Sequence, residues 1–252
     1  MFIEQSFKKE TNLNFRLFTF IKYLGGSLLV FLAAMVGQLP LSIAVLLSGK
    51  MPQNNADLYS LFDSNVFLFF ALLSFVFVII GLYLVVEKLH KQKYLTIITS
   101  REKIDWARIF FSFGVWLIIS VILFFSSYFY DSTNVVLQFN LIPFLILFAI
   151  TLLLMPIQTT AEELIFRGYL MQGFYNLSLN KWFPLLMTSL IFGTMHIMNP
   201  EVEKLGYLIL VYYIGSGLFL GIITLMDEGT ELALGFHAAN NLFTAPHKVY
   251  YH

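Results

Sequence analysis

Long apolar runs broken by short polar stretches set the pattern of this chain. The first covers residues 20–47 and is interrupted by Gly25-Gly26 and Pro40. After a polar stretch with Asp57 and Asp63 comes the cleanest run, 66–86, about 21 residues without a charge. A helix of that length spans the roughly 30 Å hydrocarbon core of a bilayer. Further runs cover 107–130, 141–177, 182–198, 206–226 and 232–243. The run 141–177 is too long for one perpendicular crossing, and Pro156 offers a kink within it. The last run, about a dozen residues, is short for a full crossing. In 206–226, Gly215, Gly217 and Gly221 are spaced for close helix packing. The pattern predicts an all-α fold, a polytopic transmembrane helical bundle of seven spans, or eight if 141–177 is two helices. No internal repeat or second domain stands out.

Composition agrees with that pattern. The chain is 58% hydrophobic and 12% charged, with mean hydropathy +0.78, outside the usual range of soluble domains. Its 28 Phe and 13 Tyr suit lipid-facing surfaces and interfacial belts. A net charge of zero argues against nucleic acid as a partner. The absence of Cys excludes disulfides, thiolate metal sites and a cysteine nucleophile. Lys88, Lys91, Lys93, Arg101, Lys103 and Arg108, six of the 15 basic residues, fall between two runs or at the start of the second. The positive-inside rule makes that loop, and with it the N-terminus, cytoplasmic and in reach of anionic lipid. Residues 1–19, with Lys8, Lys9 and Arg16, read as a cytoplasmic lead-in with an interfacial helix, not a removable signal peptide. Residues 131–140, without a basic side chain, read as an outside loop.

Against this background one stretch stands out, Thr160-Ala161-Glu162-Glu163-Leu164-Ile165-Phe166-Arg167-Gly168. Ionisable groups at membrane depth cost roughly 2.5–3.5 kcal/mol each on insertion scales, so something must offset them. On a helix Glu163 and Arg167 share a face and suit a salt bridge, whereas Glu162 points about 100° away. Two histidines also lie inside apolar runs. His196 shares a face with Phe192, and His237 shares one with Asn241. Taken singly, each is a satisfied interhelical hydrogen bond, and Glu163 with Arg167 a structural ion pair. Asn240 reads as a packing or capping residue, and His90, His247 and His252 as solvated. Taken together, glutamate, histidine, and histidine with asparagine form an economical set for hydrolysis. Glu162 with His196 can hold and deprotonate a water. His237 and the Asn241 amide can donate hydrogen bonds to the oxyanion that forms when that water attacks a peptide carbonyl. The same groups also serve as a polar network without chemistry, or as a proton relay in a carrier. The carrier reading lacks inverted repeats and paired broken helices.

Glu162-Glu163-x-x-x-Arg167, Phe192-x-x-x-His196 and His237-x-x-x-Asn241, in that order, resemble the three motifs of the CPBP intramembrane proteases. That family includes the type II CAAX prenyl proteases and the bacterial Abi and bacteriocin-immunity proteins. Phe166-Arg167-Gly168, Gly217-x-x-x-Gly221 and Gly229-Thr230 add supporting context, and the resemblance covers about 141–243. It implies a catalytic core over 141–245, after a transmembrane region over 1–140 and before a polar tail over 246–252. It implies Glu162 and His196 as the water-activating pair, His237 and Asn241 as the oxyanion pair, and Glu163 and Arg167 as supporting positions. The expected protein is an intramembrane endopeptidase of the bacterial cell membrane, acting on a membrane-associated protein or peptide. The alternative is an idle member serving as an immunity factor or membrane scaffold. Glu162, His196 and His237 have the ligand count of a catalytic zinc site, so a metalloprotease stays open. The absence of an HExxH pair favours a glutamate-activated water without a cofactor. One departure from the family pattern is the acidic turn Asp227, Glu228 and Glu231, which bears on substrate preference.

Overall fold

The computed structural model describes residues 2–5, 12–50, 52, 55–130 and 140–248. Lys8, Lys9, His252, most of the 131–140 loop and the end of the 246–252 tail lie outside the described residues, as does the side chain of His247. Among the described residues eleven α-helices follow in order: α1 (Leu13–Gly37), α2 (Leu39–Leu47), α3 (Asn55–Leu61), α4 (Ser64–Leu84), α5 (Trp106–Tyr130), α6 (Leu141–Glu163), α7 (Met171–Ser178), α8 (Trp182–Met195), α9 (Pro200–Leu205), α10 (Ile209–Asp227) and α11 (Glu231–Lys248). No strand occurs among the described residues, and Thr99 and Gly229 form an isolated bridge. The fold class is all-α, as the apolar pattern predicts.

Among the described residues, five helical runs are long and apolar enough to cross a membrane: Leu13–Leu47, Ser64–Leu89, Trp106–Tyr130, Leu141–Ser178 and Ile209–Asp227. Trp182–Met198 is a shorter apolar helix. The exposed surface carries Leu, Ile and Phe along α1, α5 and α6, which only a lipid environment accommodates on this scale. The chain is an integral membrane protein.

Several expectations sharpen or change. The Gly25-Gly26 pair does not interrupt α1, because Gly26 accepts the close approach of Tyr169 and Val85. The break falls at Gln38, and Pro40 sits in the first turn of α2, where its missing N–H leaves no helical bond unmade. The run from Leu141 to Ser178 is one continuous 38-residue helical segment, roughly 57 Å at 1.5 Å per residue, so it tilts or extends beyond the hydrocarbon. Pro156 lies inside it. Thr159 donates its hydroxyl to the Met155 and Pro156 carbonyls, and about two turns earlier Thr151 donates to the Leu147 and Phe148 carbonyls. The last helix, α11, has 18 residues instead of a dozen.

The described chain forms two compact units. The first comprises Met1–Leu29, Leu82–Ile109 and Glu162–Leu234. Its packing centres on α8 against α10, where glycines let backbones close in. A Cβ on Gly217 would stand 3.0 Å from Ser189 Cα, and one on Gly193 would stand 3.0 Å from the Ile214 nitrogen. Gly221 takes the Leu185 side chain, whereas Gly215, expected to pack likewise, has open space beside it. A cluster of Phe2, Ile3, Met171, Tyr175 and Leu185 closes another part of this unit. The second unit comprises Val30–Gly81, Phe110–Ala161 and Gly235–His252. In it Leu72, Met155 and Ala245 form a buried cluster, and Gly37 and Gly81 allow α1 and α4 to approach closely.

His90, expected to be solvated, is instead half-buried. Its Nε2 lies 2.8 Å from the Tyr169 hydroxyl, and its ring centroid lies 4.4 Å from that of Tyr23. Burial, with the Lys22 charge as a second cause, pushes its pKa down to about 4.

Candidate functional site

Glu162 and Glu163 end α6, and the chain then changes pitch. Residues Leu164–Leu170 are π-helical, and the Met171 N–H reaches back to the Phe166 carbonyl. Gly168 lies in this segment against the Ile97 carbonyl, where a Cβ would come within 2.3 Å of the oxygen. A widened turn beside such a contact is a common local solution at functional sites. Apolar periodicity gave no sign of it.

The expected Glu163–Arg167 pair forms within the first unit. Arg167 Nη1 donates to Glu163 Oε1 at 2.9 Å, and the two side chains are 1% and 0% exposed. Arg167 Nη2 also donates to the Gly217 carbonyl of α10 at 3.3 Å, and its guanidinium lies 4.5 Å from the Phe192 ring centroid of α8. Phe166 meets the same ring edge-on at 5.2 Å. One arginine thus joins the glutamate helix to α8 and α10. Glu162, next in sequence, is half-buried.

His196 closes α8 and is half-buried. Its Nδ1 lies 2.7 Å from the Phe192 carbonyl oxygen, and its ring stacks on Tyr213 with centroids 4.2 Å apart. A carbonyl only accepts, so the proton of a neutral His196 sits on Nδ1, and Nε2 carries the lone pair. The face shared by Phe192 and His196, read from their spacing, is the geometry that makes this bond.

In the second unit, His237 is buried at 7% exposure and Asn241 is half-buried, both on α11. Asn241 Nδ2 donates to Gln158 Oε1 at 3.3 Å, and its Oδ1 accepts from Asn240 Nδ2 at 3.1 Å. Asn240 Oδ1 in turn accepts from Trp116 Nε1 at 3.3 Å. Asn240 is therefore a packing residue, and the amide of Asn241 is oriented with its N–H groups towards Gln158. The part played by Gln158 and Trp116 was not apparent from sequence, because neither belongs to a motif.

The acidic turn before α11 has structural partners. Arg101 binds Asp227 at 3.1 Å and the fully buried Glu231 at 3.2 Å. Arg108 binds Asp227 and, at 3.1 Å, Asp105. The Phe2 amide donates to Glu228, and the Glu228 carbonyl accepts from the Ser100 amide and hydroxyl. Glu228 turns the chain with φ 55°, and the Thr230 amide and hydroxyl return to the Ile98 carbonyl. The charge that departs from the family pattern thus ties the basic loop to the start of α11.

Among the described residues, no group of three or more His, Cys, Asp or Glu side chains is placed to hold a metal ion. No step proposed below runs through a metal ion.

Residues 140–243 match the family model described as type II CAAX prenyl endopeptidase Rce1-like. Over 182 residues, 72% of its length, the chain is 34% identical to the uncharacterized protein YyaK of Bacillus subtilis (strain 168). It spans 61% of that relative. No solved structure matches the chain.

Proposed function

We propose that this chain, which belongs through residues 140–243 to the family of Rce1-like type II CAAX prenyl endopeptidases, is itself an intramembrane endopeptidase. Residues 141–245 are its catalytic core, and its substrate is a membrane-associated protein or peptide. It sits in a bacterial cell membrane with the N-terminus in the cytoplasm, on the side of the basic stretch 88–108.

The observation that carries this reading is the buried Glu163–Arg167 pair beside a second carboxylate. A buried ion pair adds little stability, since well-packed apolar residues of similar volume do as well or better. Its use here is to hold the helix. Arg167, bound to Glu163, the Gly217 carbonyl and the Phe192 face, fixes the register that carries Glu162. The Phe192 carbonyl fixes the tautomer of His196 that offers Nε2 as a base.

In the proposed reaction Glu162 and His196 hold a water, and Glu162 takes its proton as the oxygen attacks the peptide carbonyl. The carbonyl π bond opens to an oxyanion, which receives hydrogen bonds from His237 and the Asn241 amide. Collapse breaks the C–N bond, and the proton held by Glu162 passes to the leaving nitrogen. Oxyanion donors of this kind are each worth about 10²–10³ in kcat. The Glu162→Gln variant tests the assignment with the purified protein and a library of membrane peptides. It should insert and melt like the wild type and lose cleavage entirely. Cleavage retained in that variant would remove Glu162 from the chemistry. Loss of activity on chelation, restored by zinc, would replace the metal-free step alone.

A further inference from the structure

A cavity of about 370 Å³ in the first unit takes no part in the chemistry above. It lies at helix ends, between the first turns of α1, the segment that leaves α4, and the last turn of α7. Its volume falls in the roughly 300–1,000 Å³ range of small-molecule sites.

The charge around it has one sign. Arg16, Lys22 and Lys91 line it, and none of its described lining residues is acidic. The ion pairs among the described residues use Arg101, Arg108 and Arg167, not these three cations. Arg16 is fixed at the wall, because it donates to the carbonyls of Asn176 and Leu177 at the end of α7. The field reaches His90 on the same wall, where the Lys22 charge adds to burial in holding the imidazole neutral. Three like charges around one hollow repel unless an anion offsets them.

The wall is not only cationic. Phe15 and Leu89 line the same cavity and are 42% and 39% exposed. A free inorganic anion has no use for such groups, whereas an amphiphile does. We propose that this cavity binds the phosphate group of an acidic membrane lipid. Arg16, Lys22 and Lys91 hold the headgroup, and the first acyl carbons leave over Phe15 and Leu89. The shared chemistry is a phosphate oxyanion, and the lipid is its source.

The test uses the full chain in a nonionic detergent, with bound adducts read by native mass spectrometry. It is titrated with dioctanoyl phosphatidic acid, dioctanoyl phosphatidylcholine and inorganic phosphate. Phosphatidic acid should bind saturably and at least tenfold tighter than phosphatidylcholine, and millimolar phosphate should compete with it. Arg16 is left in place because it closes α7. Lys22→Gln with Lys91→Asn should weaken binding about 25-fold, roughly fivefold for each charge lost near the membrane surface. Asn suits position 91 because Lys91 has φ 53°, a left-handed conformation that Asn adopts readily. Lys22→Arg, which keeps the charge, should bind like the wild type. Lys103→Gln, in the same basic stretch but outside the cavity, should change nothing. Equal losses in the Lys103 variant, or none in the double variant, would overturn the site. Phosphate binding as tightly as phosphatidic acid would overturn the lipid and leave a free-phosphate site.

Discussion

Glu163 and Arg167 meet at 2.9 Å with neither side chain in reach of solvent, so the pair is sensitive to which partner is lost. Arg167→Leu leaves a buried carboxylate without its cation and should lower stability by about 3–5 kcal/mol. Replacing both, as Glu163→Met with Arg167→Met, removes the stranded charge and should restore most of that loss. Peptide cleavage should not return with it, because the link from α6 to α8 and α10 is gone. Thermal melting in detergent and a cleavage assay on the three proteins measure the two effects separately. A double variant as active as the wild type would reduce the pair to packing. His90 carries a second prediction, in pH. Its pKa when folded is about 4, depressed by burial and Lys22, against about 6.5 in an unfolded chain. Between those values the unfolded chain binds more protons, so stability is full above pH 6.5 and falls as the pH drops towards 4. Below about 4 both states are protonated and this contribution levels off. Melting temperature followed from pH 7.5 to 4 should show the decline, and His90→Phe should remove that part of it.

At the scale of elements, the π-helical segment depends on a contact that tolerates no extra atom. A Cβ at Gly168 would stand 2.3 Å from the Ile97 oxygen, and a backbone carbonyl cannot swing aside as a side-chain tip can. Gly168→Ala should therefore cost about 1–3 kcal/mol by overpacking. Gly114→Ala, on α5 with open space around it, should be neutral or stabilising by up to about 1 kcal/mol. Melting of the two variants side by side checks this, and equal destabilisation would refute the packing account. The contrast also marks what the sequence can disclose. The helices on apolar runs were legible, since bilayer thickness sets their length and an i,i+4 spacing sets which groups share a face. That is why the Glu163–Arg167 pair and the Phe192–His196 face could be read directly. The π-helical segment could not, because it rests on Ile97, about 70 residues away in the chain. The structural partners of the acidic turn were hidden for the same reason: Arg101 reaches Asp227 from 126 residues away. His90 was taken as solvated because its neighbours in sequence are charged, yet its partner is Tyr169, 79 residues distant. Local pattern discloses what a helix presents, and distant partners decide what that presentation meets.

For the molecule as a whole, the bilayer is the solvent that the exposed surface implies, and its three tryptophans report on depth within it. Trp106 opens α5 and is 60% exposed, and Trp182 opens α8 and is 65% exposed. Exposed indoles at helix starts suit the membrane–water interface, where the ring meets lipid and the N–H meets water. Trp116 lies ten residues further along α5, roughly 15 Å deeper at the rise of an α-helix. It is half-buried, with its indole N–H bound to Asn240 and its ring 4.2 Å from that of Phe236. Depth and hydrogen bonding therefore separate the two tryptophans of one helix. Single-tryptophan variants in vesicles with brominated lipids should show the separation. Bromine placed next to the headgroup should quench Trp106 and Trp182 most strongly. Bromine at mid-chain should quench Trp116 more than Trp106, although partial burial lowers its total quenching. Mid-chain bromine quenching Trp106 best would mean that α5 enters the membrane earlier than its apolar run does. Arg108 on α5 and the loop carrying Arg101 would then be drawn into the hydrocarbon, at a cost their ion pairs with Asp227 and Glu231 could not offset.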